Sequence, residues 1–250
     1  MKAALHAVFP PQCLNCGDPV TEDGALCPPC WREAEFVGPS ACARCGVPVP
    51  GDGGDDAGEI LCDACLSTPR PWDAGRAAMA YRGTGRALVL ALKHGDRPDL
   101  APALGRWLAA AAAPLVRPGM IVVPVPLHPR RMIRRKYNQA ALLAAQVARA
   151  HGLDHRPACL SRLRHTPMQD HRGVADRFAN LEGALAVPGR QRAPLAGQPV
   201  LLIDDVMASG ATLTTAAQAL RAAGSGPVTV AVLARAMRGD ASRGNGPEEE

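Results

Sequence analysis

Val200-Leu201-Leu202-Ile203-Asp204-Asp205-Val206-Met207-Ala208-Ser209-Gly210-Ala211-Thr212 runs from four apolar residues through two acids into a small-residue turn that leads to a helix. A short, continuous apolar run of this kind suits a strand buried in a parallel sheet. Such a strand carries Asp204 and Asp205 to its carboxyl end, where ligands of open parallel sheets bind. Ala208, Ser209, Gly210, Ala211 and Thr212 can then turn successive backbone N–H groups toward one phosphate, helped by the N-terminus of the following helix. Small side chains permit that close approach. An ordinary strand-to-helix turn, with Asp205 merely capping, is the plain alternative. A Walker loop is excluded, because no Gly-Lys-Thr or Gly-Lys-Ser follows.

Outward from this stretch the chain alternates in the manner of an α/β domain. An apolar stretch ends in AAMAY, and helical spacing follows over Ala87 to Lys93 and Leu100 to Ala113. MIVVPVP at 120–126 reads as a buried strand and Asn138 to Ala150 as a helix stopped near Gly152. PVLLID at 199–204 is a second buried strand, Thr212 to Ala223 a helix stopped at Gly224, and PVTVAVLA at 227–234 another strand. The expected fold is therefore α/β, a parallel sheet flanked by helices over 71–238, preceded by a separate cysteine-rich segment over 1–70 and followed by a disordered tail over 239–250.

Eight of the nine cysteines fall between Cys13 and Cys65, as four C-x-x-C pairs: Cys13/Cys16, Cys27/Cys30, Cys42/Cys45 and Cys62/Cys65. Two residues between thiolates let one tight knuckle offer both sulfurs to the same metal ion, and two pairs complete a tetrahedron. Gly17 and Gly46 follow pairs where the backbone must turn back toward the sulfurs. The unit looks repeated, CLNCG with CPPC and then CARCG with CDAC, and GDGGDDAGE at 51–59 reads as a loop inside the second copy. Disulfides would suit an oxidising compartment, but the start MKAALHAVFPPQC breaks at Pro10-Pro11 without a cleavage site, so the chain reads as unexported and cytoplasmic. Structural zinc, two ions fully ligated by protein, is the expectation; iron–sulfur ligation is a lesser alternative. Pairing is open between sequential and interleaved arrangements. Cys159 stands alone and reads as a buried apolar thiol.

A 47% apolar content over 250 residues is enough for a real core, and no run approaches the length of a membrane span, which argues against membrane insertion. The net charge of +5 fits phosphate-bearing ligands without demanding nucleic acid. Three Trp, two Tyr and three Phe leave little material for base-stacking platforms.

The 200–212 stretch resembles the phosphoribosyl pyrophosphate motif of type I phosphoribosyltransferases. Together with the cysteine pairs it makes the chain resemble the ComF family, phosphoribosyltransferase-like proteins with a double zinc ribbon associated with bacterial DNA uptake. FPPQCLNCG at 9–17, Tyr81 with Lys93-His94-Gly95, PVPLHPRR at 124–131 with Tyr137-Asn138-Gln139, and Arg164-His165-Thr166-Pro167-Met168-Gln169 with Arg177 and Asn180 carry the rest of the likeness, over about residues 9 to 235. Lys136 stands where the family usually has Gly, and Ala208-Ser209 replace the more frequent Thr-Thr, removing one hydroxyl from the phosphate loop.

The resemblance implies that Asp204 and Asp205 hold the ribose hydroxyls, that residues 208–212 bind phosphate, and that Leu127, His128, Pro129 and Arg130 hold pyrophosphate with Mg²⁺. It also marks Lys93 as a substrate contact and Arg164 to Arg172 as a lid over the site. Arg131, Arg134, Arg135 and Lys136 form either a solvated face or a contact for pyrophosphate or nucleic acid, and capping of the helix they precede is the plain alternative for Asn138 and Gln139. Two functions follow: Mg²⁺-dependent transfer of 5-phosphoribosyl from its pyrophosphate to an amine or base, or a non-catalytic module for single-stranded DNA import that works with DNA-uptake proteins. An effector-sensing regulator would need a DNA-reading element that the sequence does not display.

Overall fold

Short aliphatic runs bury both faces of a strand, and the three central strands of a five-stranded sheet, at Ile121–Pro124, Val200–Met207 and Val228–Arg235, are built on them, flanked by two edge strands. The computed structural model describes residues 9–50, 59–128, 132–133, 136–163 and 183–237. In chain order the strands are β1 (Ala74–Ala80), β2 (Ile121–Pro124), β3 (Asp154–His155), β4 (Ser161–Arg162), β5 (Leu185–Ala186), β6 (Val200–Met207) and β7 (Val228–Arg235). The helices are α1 (Pro28–Glu33), α2 (Asp63–Ser67), α3 (Gly83–His94), α4 (Ala101–Ala112), α5 (Gln139–His151), α6 (Gly189–Leu195) and α7 (Ala211–Ala222). The main sheet is parallel throughout, in the order β1-β7-β6-β2-β3, and β4 pairs with β5 antiparallel beside it.

Period-two alternation sorts the central strand between two cores. Leu201 and Ile203 of β6 face Leu88 and Leu92 of α3, Leu104 and Leu108 of α4, and Leu143 and Val147 of α5. Val200 and Leu202 face the other way, onto Leu213, Ala217 and Leu220 of α7 and Leu195 of α6. Asn138 caps α5 by accepting from the Ala140 N–H, and Gly152, at φ +64°, ends it in the left-handed conformation that a side chain resists. Among the described residues no helix is long and apolar enough to cross a membrane.

The expected elements are present, with one change of extent at the centre. Strand β6 runs three residues past Asp204, to Met207, because β7 continues alongside it and pairs Asp204 with Val232, Val206 with Ala234 and Met207 with Arg235. The backbone that carries both acids is thus tied into the ladder rather than loose in a turn.

An edge strand leaves a row of unpaired backbone groups, and on β1 the cysteine-rich segment takes them up. Ala80 N donates to Glu35 O at 3.0 Å, Val37 N to Ala78 O at 3.0 Å, and Gly75 N to Ala43 O at 2.7 Å. The two cysteine units straddle this edge: Cys13, Cys27 and Cys30 join the core on one face of the sheet, and Cys42, Cys45 and Cys65 the core on the other. Close approach needs glycine here. A Cβ on Gly75 would run into the Arg44 carbonyl oxygen and lie 2.9 Å from Val230 Cγ2. Gly75→Ala is therefore expected to cost about 2 kcal/mol, within the range for overpacking a tight contact, read as a lower urea midpoint; an unchanged midpoint would mean the segment is not seated on β1.

Candidate functional site

The two cysteine units repeat one design. In each, the first pair sits on a knuckle whose glycine, Gly17 at φ +82° or Gly46 at φ +68°, takes a left-handed turn. In each, the second pair brackets the start of a short helix, α1 after Cys27 and α2 after Cys62. The sulfurs gather sequentially, Cys13, Cys16, Cys27 and Cys30 in one group and Cys42, Cys45, Cys62 and Cys65 in the other, with all ligand atoms of a group within 4.8 Å of one another. The Cys16–Cys27 and Cys45–Cys62 sulfurs lie 3.5 and 3.6 Å apart. A zinc tetrahedron with Zn–S near 2.3 Å has edges of about 3.8 Å, whereas a disulfide holds its sulfurs at about 2.05 Å. The groups fit two structural zinc ions, sequentially paired, with no position left over for substrate. Asn15 Nδ2 donates to Cys30 Sγ at 3.3 Å and orients that ligand. Cys159 is buried in the second core, where desolvation pushes its thiol up.

The second constellation forms at the carboxyl end of the sheet. Three consecutive side chains assemble it, each tying a different element. Tyr137 OH donates to Leu92 O at 2.6 Å, at the end of α3. Asn138 Nδ2 donates to Val125 O at 3.0 Å, just beyond β2. Gln139 Nε2 donates to Asp205 Oδ2 at 3.2 Å, and its Oε1 is buried without a protein partner. Lys93, on the last turn of α3, places Nζ 3.9 Å from the same Asp205 oxygen.

The two acids differ. Asp205 is 8% exposed and held from one face by Lys93 and Gln139. Asp204 is half-buried, and its Oδ1 accepts from the Asp205 N–H at 2.9 Å. Burial pushes the Asp204 carboxyl well above the usual carboxylate range, and the charge of Asp205 adds to this while Lys93 pulls the other way.

Beyond the acids, Ala208 is exposed, Ser209 intermediate, and Gly210 turns the chain at φ +83° directly into α7. That helix opens on the small-residue turn with its N–H groups at the loop mouth, the arrangement that favours an anion. Ser209 Oγ lies 3.4 Å from the Ala211 N–H. Leu127 and His128, both half-buried, follow Val125, whose N–H donates to Ile203 O at 2.8 Å, so that segment borders β6. Pro129, Arg130, Arg131, Arg134, Arg135 and the Arg164–Arg172 lid stretch lie outside the described residues, as does the 239–250 tail. Lys136 has φ +64°, a conformation that favours glycine, and its ammonium pairs with Asp96.

Sequence reasoning did not find two arginines at the loop. Arg235 donates to the carbonyls of Met207 and Ala208, and Arg70 to that of Ser209. Neither belongs to a motif, since what they bind is backbone brought near by folding.

Two known domain families match separate stretches of the chain. Residues 4–66 match the double zinc ribbon domain and residues 162–246 the phosphoribosyl transferase domain. DNA utilization protein YhgH of Salmonella typhi is 33% identical over 184 residues, covering 71% of this chain and 79% of that protein. The YhgH protein of Escherichia coli K12 is 29% identical over 90% of both chains. Competence protein F of Haemophilus influenzae is 30% identical, over 70% of this chain and 78% of its own length. The solved allosteric regulatory enzyme of purine biosynthesis overlays 58% of this chain and 30% of its own, at 20% identity and a TM-score of 0.40. Fold and site together define a double zinc ribbon joined to a phosphoribosyltransferase-type domain. The chain belongs to the ComF family, in which Competence protein F and the YhgH proteins stand.

Proposed function

We propose that the carboxyl end of the sheet binds phosphoribosyl pyrophosphate, or a closely related phosphorylated ribose, in the service of DNA utilization. The observation that carries this reading is the convergence of Lys93, Gln139 and the Asp204–Asp205 pair immediately before a small-residue loop that opens a helix. In this reading the backbone N–H groups of residues 208–212 hold the 5-phosphate. Asp204 and Asp205 accept hydrogen bonds from the ribose hydroxyls, with Gln139 and Lys93 fixing Asp205. Leu127, His128 and Arg130 border the pyrophosphate. Mg²⁺, bound chiefly through substrate oxygens and water, would neutralise the departing pyrophosphate. As that group leaves, the ribose gains oxocarbenium character, and the adjacent carboxylates stabilise the positive charge. The reaction proposed is transfer of the 5-phosphoribosyl group to an amine or base.

A thermal-shift panel tests the ligand class. Phosphoribosyl pyrophosphate with Mg²⁺ at about a hundred times its Kd adds about 2.7 kcal/mol to the folded state, or about 5–10 °C for a chain of this size. Ribose lacking phosphate gives no shift. An equal shift with both would remove the phosphate loop from the account.

One observation favours a second, nucleic-acid reading. Trp31, 51% exposed, packs on Phe36 with ring centroids 4.5 Å apart, and Phe36 meets Trp107 edge-on at 5.2 Å. Few as the aromatic residues are, three of them thus form one group, with Phe36 and Trp107 partly buried against the core and Trp31 exposed as a face on which an unpaired base can stack. Trp31→Ala is expected to weaken binding of a thymidine oligomer about tenfold, within the range for one lost base stack, in a fluorescence titration at fixed salt. Unchanged affinity would dismiss this surface.

A further inference from the structure

We propose that the second cysteine cluster, once loaded with zinc, holds the phosphate loop in its binding shape through Arg70 and Arg235, so that zinc occupancy and phosphate affinity are coupled. The inference rests on the phosphate-loop reading above and adds a control element to it.

Three consecutive carbonyls of the loop are held from behind. Arg235 Nη1 donates to Met207 O at 3.0 Å and to Ala208 O at 2.8 Å, and Arg70 Nη1 donates to Ser209 O at 2.9 Å. Peptide planes whose oxygens are turned toward two guanidinium groups direct their N–H bonds to the opposite side, where an anion would sit. Arg70 is braced in turn by the Trp72 ring, 5.6 Å beneath its guanidinium carbon. The fit around the turn is close, since a Cβ on Gly210 would lie 3.0 Å from Arg70 Nη1 and 3.4 Å from Trp72.

Both guanidinium groups need an anion. Arg235 is 7% exposed, and among the described residues neither arginine has a carboxylate within ion-pair reach. Each keeps a buried Nε–H without a partner. Unpaired charge in such a place is costly. The cluster of Cys42, Cys45, Cys62 and Cys65 supplies the counter-charge: four thiolates on one divalent zinc leave two negative charges beside two cations. The positions agree. Trp72, which the Arg70 guanidinium covers, donates its Nε1–H to the Arg44 carbonyl at 2.6 Å, inside the Cys42–Cys45 knuckle, and packs in one core with Cys42, Cys45 and Cys65. Without zinc the metal–thiolate centre is lost, the knuckle that seats Trp72 and Arg70 loosens, and the loop carbonyls lose their hold. The first cluster, on the opposite face of the sheet, has no such connection among the described residues.

Arg70→Gln is the informative variant, because Arg70 lies at the edge of the ribbon and is less buried than Arg235. The zinc-loaded full chain and this variant are compared by zinc content, by hydrogen exchange over residues 207–212, and by calorimetric affinity for phosphoribosyl pyrophosphate with Mg²⁺. The expected result is two zinc ions retained in both proteins, exchange over 207–212 faster by about tenfold in the variant, and affinity weaker by about the same factor, or about 1.4 kcal/mol. Arg70→Lys, which restores the charge and one donor, recovers part of the affinity. Coupling is reciprocal, so in the protein loaded with Co²⁺ the ligand perturbs the visible spectrum of the thiolate-bound metal, and Arg70→Gln removes the perturbation. Unchanged exchange and affinity in Arg70→Gln, or a chelated wild-type protein whose 207–212 amides stay protected, overturns the proposal. A wild-type protein that binds no phosphoribosyl ligand overturns the underlying reading instead, and the hydrogen-exchange comparison then decides the coupling by itself.

Discussion

Chelating both zinc ions at neutral pH is expected to lower the thermal unfolding midpoint by at least about 10 °C. A structural zinc site contributes about 10–16 kcal/mol of binding free energy at pH 7, against a net stability of about 5–15 kcal/mol for a whole domain. Here the ligands are also part of the packing. Cys13, Cys27 and Cys30 belong to the core under α3, α4 and α5, and Cys42, Cys45 and Cys65 to the core under α7. Loss of the metal therefore opens both faces of the sheet at β1 and uncovers the edge that residues 35–43 pair with. Even a loss of about 4 kcal/mol moves the midpoint by about 8–16 °C at this chain length. Scanning calorimetry with and without chelator, alongside colorimetric zinc release, makes the measurement. Cys159→Ala is the control: it removes a buried thiol outside either cluster and should leave the zinc content at two. Release of two ions with no change in midpoint would show that the ribbon does not support the sheet.

The second large effect separates two neighbouring carboxylates. Asp204→Asn and Asp205→Asn should each weaken binding of phosphoribosyl pyrophosphate about 10- to 100-fold, the worth of a charge-assisted hydrogen bond at 1.5–3 kcal/mol. Their effects on stability at pH 8 are expected to have opposite sign. Burial, with the charge of Asp205, holds the Asp204 carboxyl above the ordinary range. The folded protein therefore keeps a proton there that the unfolded chain gives up near pH 4. Stability falls as pH rises from about 4 through the folded value and stays lower above it. Asparagine carries no charge and retains an oxygen to accept from the Asp205 N–H, so Asp204→Asn melts higher than wild type at pH 8, and the gap closes near pH 4. Asp205→Asn leaves Lys93 without its carboxylate partner and melts lower. Thermal scans at the two pH values decide the matter. A fall in both variants at pH 8 would contradict the assignment of Asp204 as the acid whose placement costs the fold stability.

Much of this was legible in the residues because it is local. Strand β6 announces itself by an aliphatic run, α5 by Asn138 before it and Gly152 after it, and the zinc units by two-residue spacing between cysteines. What could not be read arises between distant segments. Sequential and interleaved sulfur pairing have the same spacing, and only the folded knuckles separate them. Arg70 and Arg235 bind carbonyl oxygens, which leave no mark in a sequence. Trp31, Phe36 and Trp107 meet because the first ribbon unit lies against α4, so a scarcity of aromatic residues concealed a concentrated group. Tyr137-Asn138-Gln139 stood out through the family resemblance, but capping explained two of them well enough to hide the contacts with Leu92, Val125 and Asp205. The extension of β6 past its acids depends on the length of β7 beside it.

The most direct test is a calorimetric titration of the zinc-loaded chain with phosphoribosyl pyrophosphate and Mg²⁺, repeated on Asp205→Asn and with single-stranded DNA at two salt concentrations. The account predicts one saturable phosphoribosyl site per chain that Asp205→Asn abolishes or weakens at least tenfold. No phosphoribosyl binding by the wild-type protein, together with DNA affinity that falls steeply with salt, would contradict it and leave a nucleic-acid-binding protein on a phosphoribosyltransferase scaffold.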